Sequence, residues 1–136
     1  MPHSMNWYVE GHIVYARFEG VVTIDEFREF MAKLFSYFDQ SPALLVHVIA
    51  DNRRITRSLS IREIVSVVKK PHEKMGWYIE VNTNINPVRF ISNIASQVFR
   101  IRNRTFATLD EATAFLKNQD QSIQWDKADT SVIASS

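Results

Sequence analysis

Residues 44–51 read LLVHVIAD, an almost unbroken apolar run that is interrupted only by His47 and closed by Asp51. A strand with one face in water alternates apolar and polar residues, whereas a strand covered by helices on both faces does not need to. The run is also far too short to cross a membrane. We therefore predict a buried, central parallel strand, in which His47 is a neutral, hydrogen-bonded core residue.

Helical patterns lie on both sides of this strand. Thr23 and Ser60 each stand three residues before a glutamate, which is the capping-box spacing that opens a helix. After Thr23, six large apolar residues recur at the spacing of one helical face, and Pro42 marks the end of that helix. These six are Phe27, Phe30, Met31, Leu34, Phe35 and Phe38. We expect both helices to pack against the sheet.

Four more segments have the composition of strands. Residues 6–10 and 12–19 are rich in aromatic and β-branched side chains, and Gly11 between them suits a hairpin turn. Residues 77–82 and 102–107 have the same character. With residues 44–51, the chain has five predicted strands.

Two further helix starts complete the order of elements. Asn86 followed by Pro87 predicts an N-cap and a first helical residue, and Thr108 with Glu111 forms a third capping box. The order is therefore ββαβαβαβα. Because parallel neighbours need crossover helices, this order predicts an α/β fold with a five-stranded, mostly parallel mixed sheet and four helices.

Composition favours one ordinary soluble domain. The chain has 136 residues, of which 46% are hydrophobic, and a formal net charge of +1. We assign residues 1–117 to this domain and expect the mostly polar residues 118–136 to form a loosely ordered tail. The chain has no cysteine, which excludes disulfides and thiolate sites. We find no sequence pattern of a secretion signal or a membrane span, so we expect a cytoplasmic protein.

Basic residues are concentrated in one part of the chain. Residues 53–104 contain eleven Lys or Arg against three acidic residues. The carboxyl ends of the third and fourth strands should share one sheet edge, where ligands bind in open α/β folds. The candidates for binding an anion or a partner there are Asp51, Arg53, Arg54, Arg57, Asn84, Asn86 and Arg89. In the alternative, the arginines form a solvated loop with surface ion pairs to Asp51 or Glu63, worth about 0–1 kcal/mol each.

Motifs for chemistry on a small substrate were not found. The four histidines lack the spacing of metal ligands, and the three glycines form neither a nucleotide-binding loop nor a nucleophile elbow. A net charge of +1 lacks the basic footprint of nucleic-acid binding. We therefore expect no metal, no cofactor, no nucleic acid and no enzymatic activity. Glu80 should be partly exposed or paired with an arginine, because burying it alone would be costly.

Over residues 6–117 the chain resembles the STAS domain family, in particular its anti-sigma factor antagonist-like branch that overlaps a lipid-binding Sec14-like group. The resemblance rests on WYVEG at residues 7–11, VHVIAD at residues 46–51 and FATLDEA at residues 106–112. It implies a STAS-like fold and a noncatalytic, bacterial-type regulatory module that binds another protein. In this family, a serine at the start of the second helix is the phosphoacceptor that switches binding.

Residues 57–62 read RSLSIR, which places Ser58 and Ser60 in the phosphoacceptor neighbourhood without the family's preceding Asp and following Gly. The resemblance implies a partner of the kinase-type anti-sigma factor class, docked on the second helix and the carboxyl edge of the sheet. The alternative function is binding of a small anionic or lipidic ligand at that edge, through Arg53, Arg54, Arg57 and Arg89. The aromatic hairpin edge is also compatible with a homodimer.

Overall fold

The computed structural model describes residues 3–57, 59–68, 70–82 and 101–133. The strands are β1 (His3–Val9), β2 (Ile13–Val21), β3 (Val46–Arg57), β4 (Met75–Val81) and β5 (Asn103–Phe106). The helices in these residues are α1 (Ile24–Gln40), α2 (Ile61–Val67) and α3 (Leu109–Gln119), followed by short 3-10 turns at Trp125–Lys127 and Thr130–Val132. The predicted helix that begins at Asn86 lies outside the described residues.

The five strands form one sheet in the order β1-β2-β3-β4-β5. β1 is antiparallel to β2, and every later pair of neighbours is parallel. The hairpin turn contains Gly11, whose φ of 78° lies in the left-handed region that glycine adopts at little cost. The predicted α/β fold with a mostly parallel mixed sheet is therefore confirmed.

Neighbouring residues of each strand face opposite sides of the sheet and build two separate cores. Val14 and Val48 belong to the core between the sheet and helices α1 and α2. Ile13 and Ile49 belong to the other core, together with Leu116 of α3. Polar residues near the strand ends are divided between the two sides by the same alternation.

The carboxylate of Glu26 ties the first strand to the first helix. The Thr23 hydroxyl accepts the Glu26 backbone N–H at 3.2 Å, so the predicted N-cap of α1 is present. The Glu26 side chain does not complete the capping box, because its Oε2 lies 2.7 Å from Nδ1 of the buried His3. Lys33 Nζ lies 3.4 Å from the other ring nitrogen. A helix-capping group is thus used to hold β1.

β3 is longer than the sequence predicted. The prediction ended this strand near Asp51 and placed the arginines beyond it in a loop, whereas the strand continues to Arg57. The extension pairs with β2, which places Gly20 opposite Ile55, and Ile55 is buried in the core beneath α1 and α2. Burial of Ile55 gives this polar segment the anchor that holds it in the sheet.

The chain after α3 also differs from the expected loose tail. α3 continues to Gln119, and the following residues cover the sheet beside it. Ile123 is 6% exposed, the Trp125 ring meets Tyr8 edge-on at 6.2 Å, and the Asp129 N–H donates to the Tyr8 carbonyl at 2.7 Å. α3 is eleven residues long, and the apolar side chains after it extend the cover of this sheet face.

The outer edge of β1, which the sequence analysis found compatible with a homodimer, is partly closed. The Tyr37 hydroxyl of α1 donates to the Met5 carbonyl at 3.0 Å, and the chain after α3 satisfies the Tyr8 carbonyl. Edge strands invite pairing when their backbone groups are unsatisfied. These contacts reduce the backbone surface that β1 offers to a second copy.

No helix in the described part of the chain has both the length and the apolar character needed to span a membrane.

Candidate functional site

Polar residues are buried on both faces of the sheet where β3 passes the end of β4. Asp51 stands opposite Val81, the last residue of β4, and both Asp51 and the next residue, Asn52, are 2% exposed. Because side chains alternate along a strand, Asp51 faces the α3 side and Asn52 faces the α1 and α2 side. The predicted carboxyl-edge site is therefore divided by the sheet.

The Asp51 carboxylate is fully engaged within the protein. It accepts the Tyr15 hydroxyl at 2.5 Å and a two-pronged interaction from Arg53, with Nε at 2.9 Å and Nη2 at 2.7 Å. Burial alone would raise the pKa of Asp51, but these hydrogen bonds and the Arg53 charge outweigh it, and the pKa lies below its ordinary value. The Nε and Nη2 donors of Arg53 are therefore already used in hydrogen bonds to Asp51.

Glu80 forms the second buried group, on the α1 and α2 side. It is fully buried, and Asn52 Nδ2 donates to its Oε2 at 2.6 Å. Burial and the nearby Glu80 charge raise the pKa of the Tyr78 phenol. The sequence led us to expect that Glu80 is either partly exposed or paired with an arginine. Partial exposure is wrong, because the side chain is fully buried, and the Asn52 amide is one of its partners.

The arginines of the β3 extension lie among acidic groups. Arg54 Nη1 and Arg17 Nη2 each lie 3.3 Å from Oε1 of Glu19, at the surface. Arg57 is exposed, and its charge contributes to lowering the pKa of Glu63. The alternative of a solvated loop with ion pairs to Asp51 or Glu63 agrees only in part: Arg53 pairs with Asp51, but Asp51 is buried, Arg54 pairs with Glu19, and the arginines lie on a strand. The other candidates for this edge, Asn84, Asn86 and Arg89, lie outside the described residues.

The start of α2 is held by a complete capping box. Ser60 Oγ accepts the Glu63 N–H at 3.2 Å, and the Ser60 N–H donates to Glu63 Oε1 at 3.0 Å. Hydrogen bonds that the Glu63 carboxylate accepts from the backbone and the side chain of Ser60 lower the pKa of Glu63. Ser60 is exposed, so its hydroxyl is accessible in spite of its capping role. Ser58 lies outside the described residues.

The extension of β3 separates residues that the sequence analysis placed together. Arg57 lies six residues beyond Asp51, a distance of up to about 20 Å along an extended strand. Arg57 therefore lies well beyond Asn82, which directly follows β4. The buried polar groups around Asp51 and Glu80 are thus separate from Arg57 at the far end of β3.

Two apolar features flank the first pair of helices. A surface groove runs between α1 and α2, lined by Arg28, Met31, Ala32, Phe35, Val67, Val68 and Lys70. Beneath it, a narrow cavity of about 70 Å³ has mainly aromatic and aliphatic walls. A cavity of this size is smaller than the roughly 150 Å³ that holds a benzene molecule.

His47 behaves as the sequence predicted. It is 2% exposed, its Nδ1 accepts the Trp77 N–H at 2.9 Å, and its Nε2 lies 2.9 Å from the Asp120 carboxylate. An Nδ1 that accepts carries no proton, so the ring is neutral and donates through Nε2. Burial alone would raise the pKa of Asp120, but hydrogen bonds from Ser122 and His47 hold it below its ordinary value. In the described residues, no group of three or more His, Asp or Glu could hold a metal.

Comparisons with known proteins give structural matches alone. No protein-family model and no curated protein sequence matches the chain. An uncharacterized protein of the DUF3478 family from Shewanella loihica, with a SpoIIAA-like fold, aligns with a TM-score of 0.62 at 9% identity, covering 84% of this chain and 93% of that one. The anti-sigma factor antagonist SpoIIAA in its unphosphorylated form aligns with a TM-score of 0.52 at 16% identity, covering 85% and 96%.

At these identities the comparisons establish the fold alone, which is SpoIIAA-like. The fold implied by the sequence resemblance is confirmed. A shared fold does not carry a function by itself, so the function has to be argued from the surfaces and residues of this chain.

Proposed function

We propose that this chain is a noncatalytic regulatory module that binds a protein partner through α2 and the groove between α1 and α2. The fold that it shares with an anti-sigma factor antagonist supports this proposal. The observation that carries it is the exposed apolar surface of a short helix that begins at an accessible serine. Val65 of α2 is 38% exposed, and the adjoining groove has an apolar floor with Arg28 and Lys70 at its margins.

This surface has the character of a protein interface. An apolar centre with charged groups at its margin is the usual arrangement where two proteins meet. The catalytic alternative lacks a comparable basis, because Tyr15, Asp51 and Arg53 satisfy one another, and the His47 ring is bonded at both nitrogens. We assign the cytoplasm to the protein as part of the same proposal.

Ser60 is the proposed switch, with Ser58 as the second candidate. A phosphoryl group on Ser60 would place about two negative charges beside the Glu63 carboxylate, which now accepts from the Ser60 backbone. Repulsion would open the capping box, and Arg57 would be available to pair with the phosphate. The start of α2 would change in shape and charge, and a partner docked there would be released or recruited.

The test uses purified serine kinases of the anti-sigma factor class from the source genome, each mixed with the full chain and with Mg-ATP. We expect one kinase to form a complex and to add one phosphoryl group, detected by intact mass and lost in Ser60→Ala or Ser58→Ala. Val65→Asp should abolish the complex. Leu44 is another apolar surface residue, 91% exposed, and lies outside α2 and the groove, so the control Leu44→Asp should leave the complex intact. Equal binding by both variants, or binding to none of these kinases, would overturn the proposal.

The small-ligand alternative has less support in the described residues. Arg53 is committed to Asp51, Arg54 lies beside Glu19, and the apolar cavity is small. Native mass spectrometry of freshly purified protein separates the two functions. A ligand that stays bound through purification and is lost in Arg57→Gln would favour the alternative.

A further inference from the structure

A tryptophan and two arginines meet at the opposite end of the sheet, on the side of α3. The guanidinium carbons of Arg102 and Arg104 each lie 5.3 Å from the centre of the Trp77 ring. Phe115 of α3 meets the same ring edge-on at 4.9 Å and supports it from the core. Both arginines are exposed. The indole therefore holds two cations at the surface beside the edge strand β5.

Both arginines keep their charge unpaired in the part of the chain that the structure describes. Among the described residues, no carboxylate lies within 4.0 Å of either guanidinium, whereas Arg53 and Arg54 each have one. Arg104 Nη1 donates to the Asn103 carbonyl at 2.9 Å, which fixes that side chain further. The remaining N–H groups of both guanidiniums lack a protein partner in the part of the chain that the structure describes.

The arrangement places two like charges beside one ring, and no carboxylate of the described residues neutralises them. A cation over an exposed aromatic ring gains about 0.5–1 kcal/mol, which holds a guanidinium in place and leaves its charge unneutralised. A doubly negative group bound by both arginines would neutralise both charges. Guanidinium donors match the oxygens of a phosphate in pairs, and stacking on the ring lowers the entropy lost when they bind.

We propose that Trp77, Arg102 and Arg104 form a binding site for a phosphate group. The site is separate from the proposed partner surface, because it lies on the other face of the sheet, on the side of α3, near the start of β4. Phosphate binding at this site can therefore be tested independently of the proposed function. The phosphate could belong to a soluble compound or to a lipid headgroup, which present the same chemistry to the two arginines.

The experiment follows the Trp77 indole N–H and the arginine Nε–H signals by NMR in the full chain. One arm titrates inorganic phosphate, and the other adds vesicles of phosphatidylcholine with or without phosphatidic acid. We expect saturable shifts of the Trp77, Arg102 and Arg104 signals. The double variant Arg102→Gln with Arg104→Gln should weaken binding about tenfold or more. Lys117→Gln, which removes an exposed cation from a different ring, that of Trp125, should bind like the parent.

Each outcome decides the proposal. Saturable binding of inorganic phosphate that is lost in the double variant supports a soluble ligand. Binding confined to vesicles with phosphatidic acid, and lost in the same variant, supports a lipid headgroup. Shifts that do not saturate, or that are equally reduced in Lys117→Gln, indicate an adventitious ion only and overturn the site. Far-ultraviolet circular dichroism of the double variant verifies that it is folded, as expected for exposed side chains.

Discussion

Gly76 lies directly against the imidazole of His47. A Cβ atom added at position 76 would stand 2.4 Å from His47 Nδ1 and 2.8 Å from Cε1. The contact is close because the next backbone N–H, that of Trp77, donates to the same Nδ1. The hydrogen bond that His47 Nδ1 accepts therefore requires the absence of a side chain at the neighbouring position.

The first prediction follows from that contact. Gly76→Ala should destabilise the protein by about 1–3 kcal/mol, because the methyl group forces the ring away from Trp77 N–H in a close-packed core. Urea unfolding measures the change. In a His47→Ala background the same substitution should cost much less, since the ring that it strikes is gone. An equal cost in both backgrounds would show that the clash with His47 is not the cause.

Asp51 gives a prediction on pH. Its pKa is lower in the folded protein than its ordinary value of 3.8, so the folded state binds fewer protons on this group than the unfolded state does. The stability it contributes is complete above pH 3.8 and is lost as the pH falls through the folded pKa. Asp51→Asn should cost about 1–3 kcal/mol at pH 7, because Tyr15 and Arg53 lose a shared acceptor.

The measurement is urea unfolding of the parent and of Asp51→Asn between pH 7 and pH 2. The difference between the two proteins isolates Asp51 from other acids with lowered pKa values, such as Asp120. It should shrink as the pH falls below 3.8. A difference that stays constant to pH 2 would mean that the lost interaction does not depend on the charge of Asp51.

The fold could be predicted because its signals are local. The capping serines and threonines, the apolar stripe of α1 and the run at residues 44–51 each reflect neighbours within a few positions, and the element order then restricts the sheet topology. The extension of β3 could not be predicted in this way. Its one strong anchor is Ile55, whose burial depends on β2 and on α1 far away in sequence.

The polar groups were predictable only in part. Asp51 follows an apolar run and was identified as a candidate binding residue. Its partner Tyr15 lies in a strand, where an aromatic residue is normally interpreted as part of the hydrophobic core. The pairing emerges only when β2 lies beside β3 in parallel register. Asn52 and Glu80 meet for the same reason, across β3 and β4. The sequence therefore identified the acidic residues as noteworthy, but their hydrogen-bond partners could be found only from the register of neighbouring strands.

Ser60 gives a prediction that separates its capping role from its proposed role as a switch. Ser60→Ala should destabilise the start of α2 and cost about 1 kcal/mol, whereas Ser60→Gly should cost only a few tenths, since glycine leaves the N-terminal amides open to water. Hydrogen exchange should show faster exchange in α2 and unchanged protection in β3. Loss of protection throughout the sheet would contradict a purely local role for the cap.

The chain after α3 gives the last prediction, which concerns self-association. A protein that ends at Gln121 loses Ile123, whose burial is worth about 1.5–3 kcal/mol, and loses the Asp129 N–H that satisfies the Tyr8 carbonyl. The edge of β1 then offers a free backbone acceptor beside newly exposed apolar surface, the combination that favours strand pairing between copies. Light scattering after size-exclusion chromatography should find the full chain monomeric and the shortened chain associated. Adding Asn6→Lys, a charge at an exposed position of β1, should reduce association of the shortened chain, and if it does not, the new contact lies away from this edge.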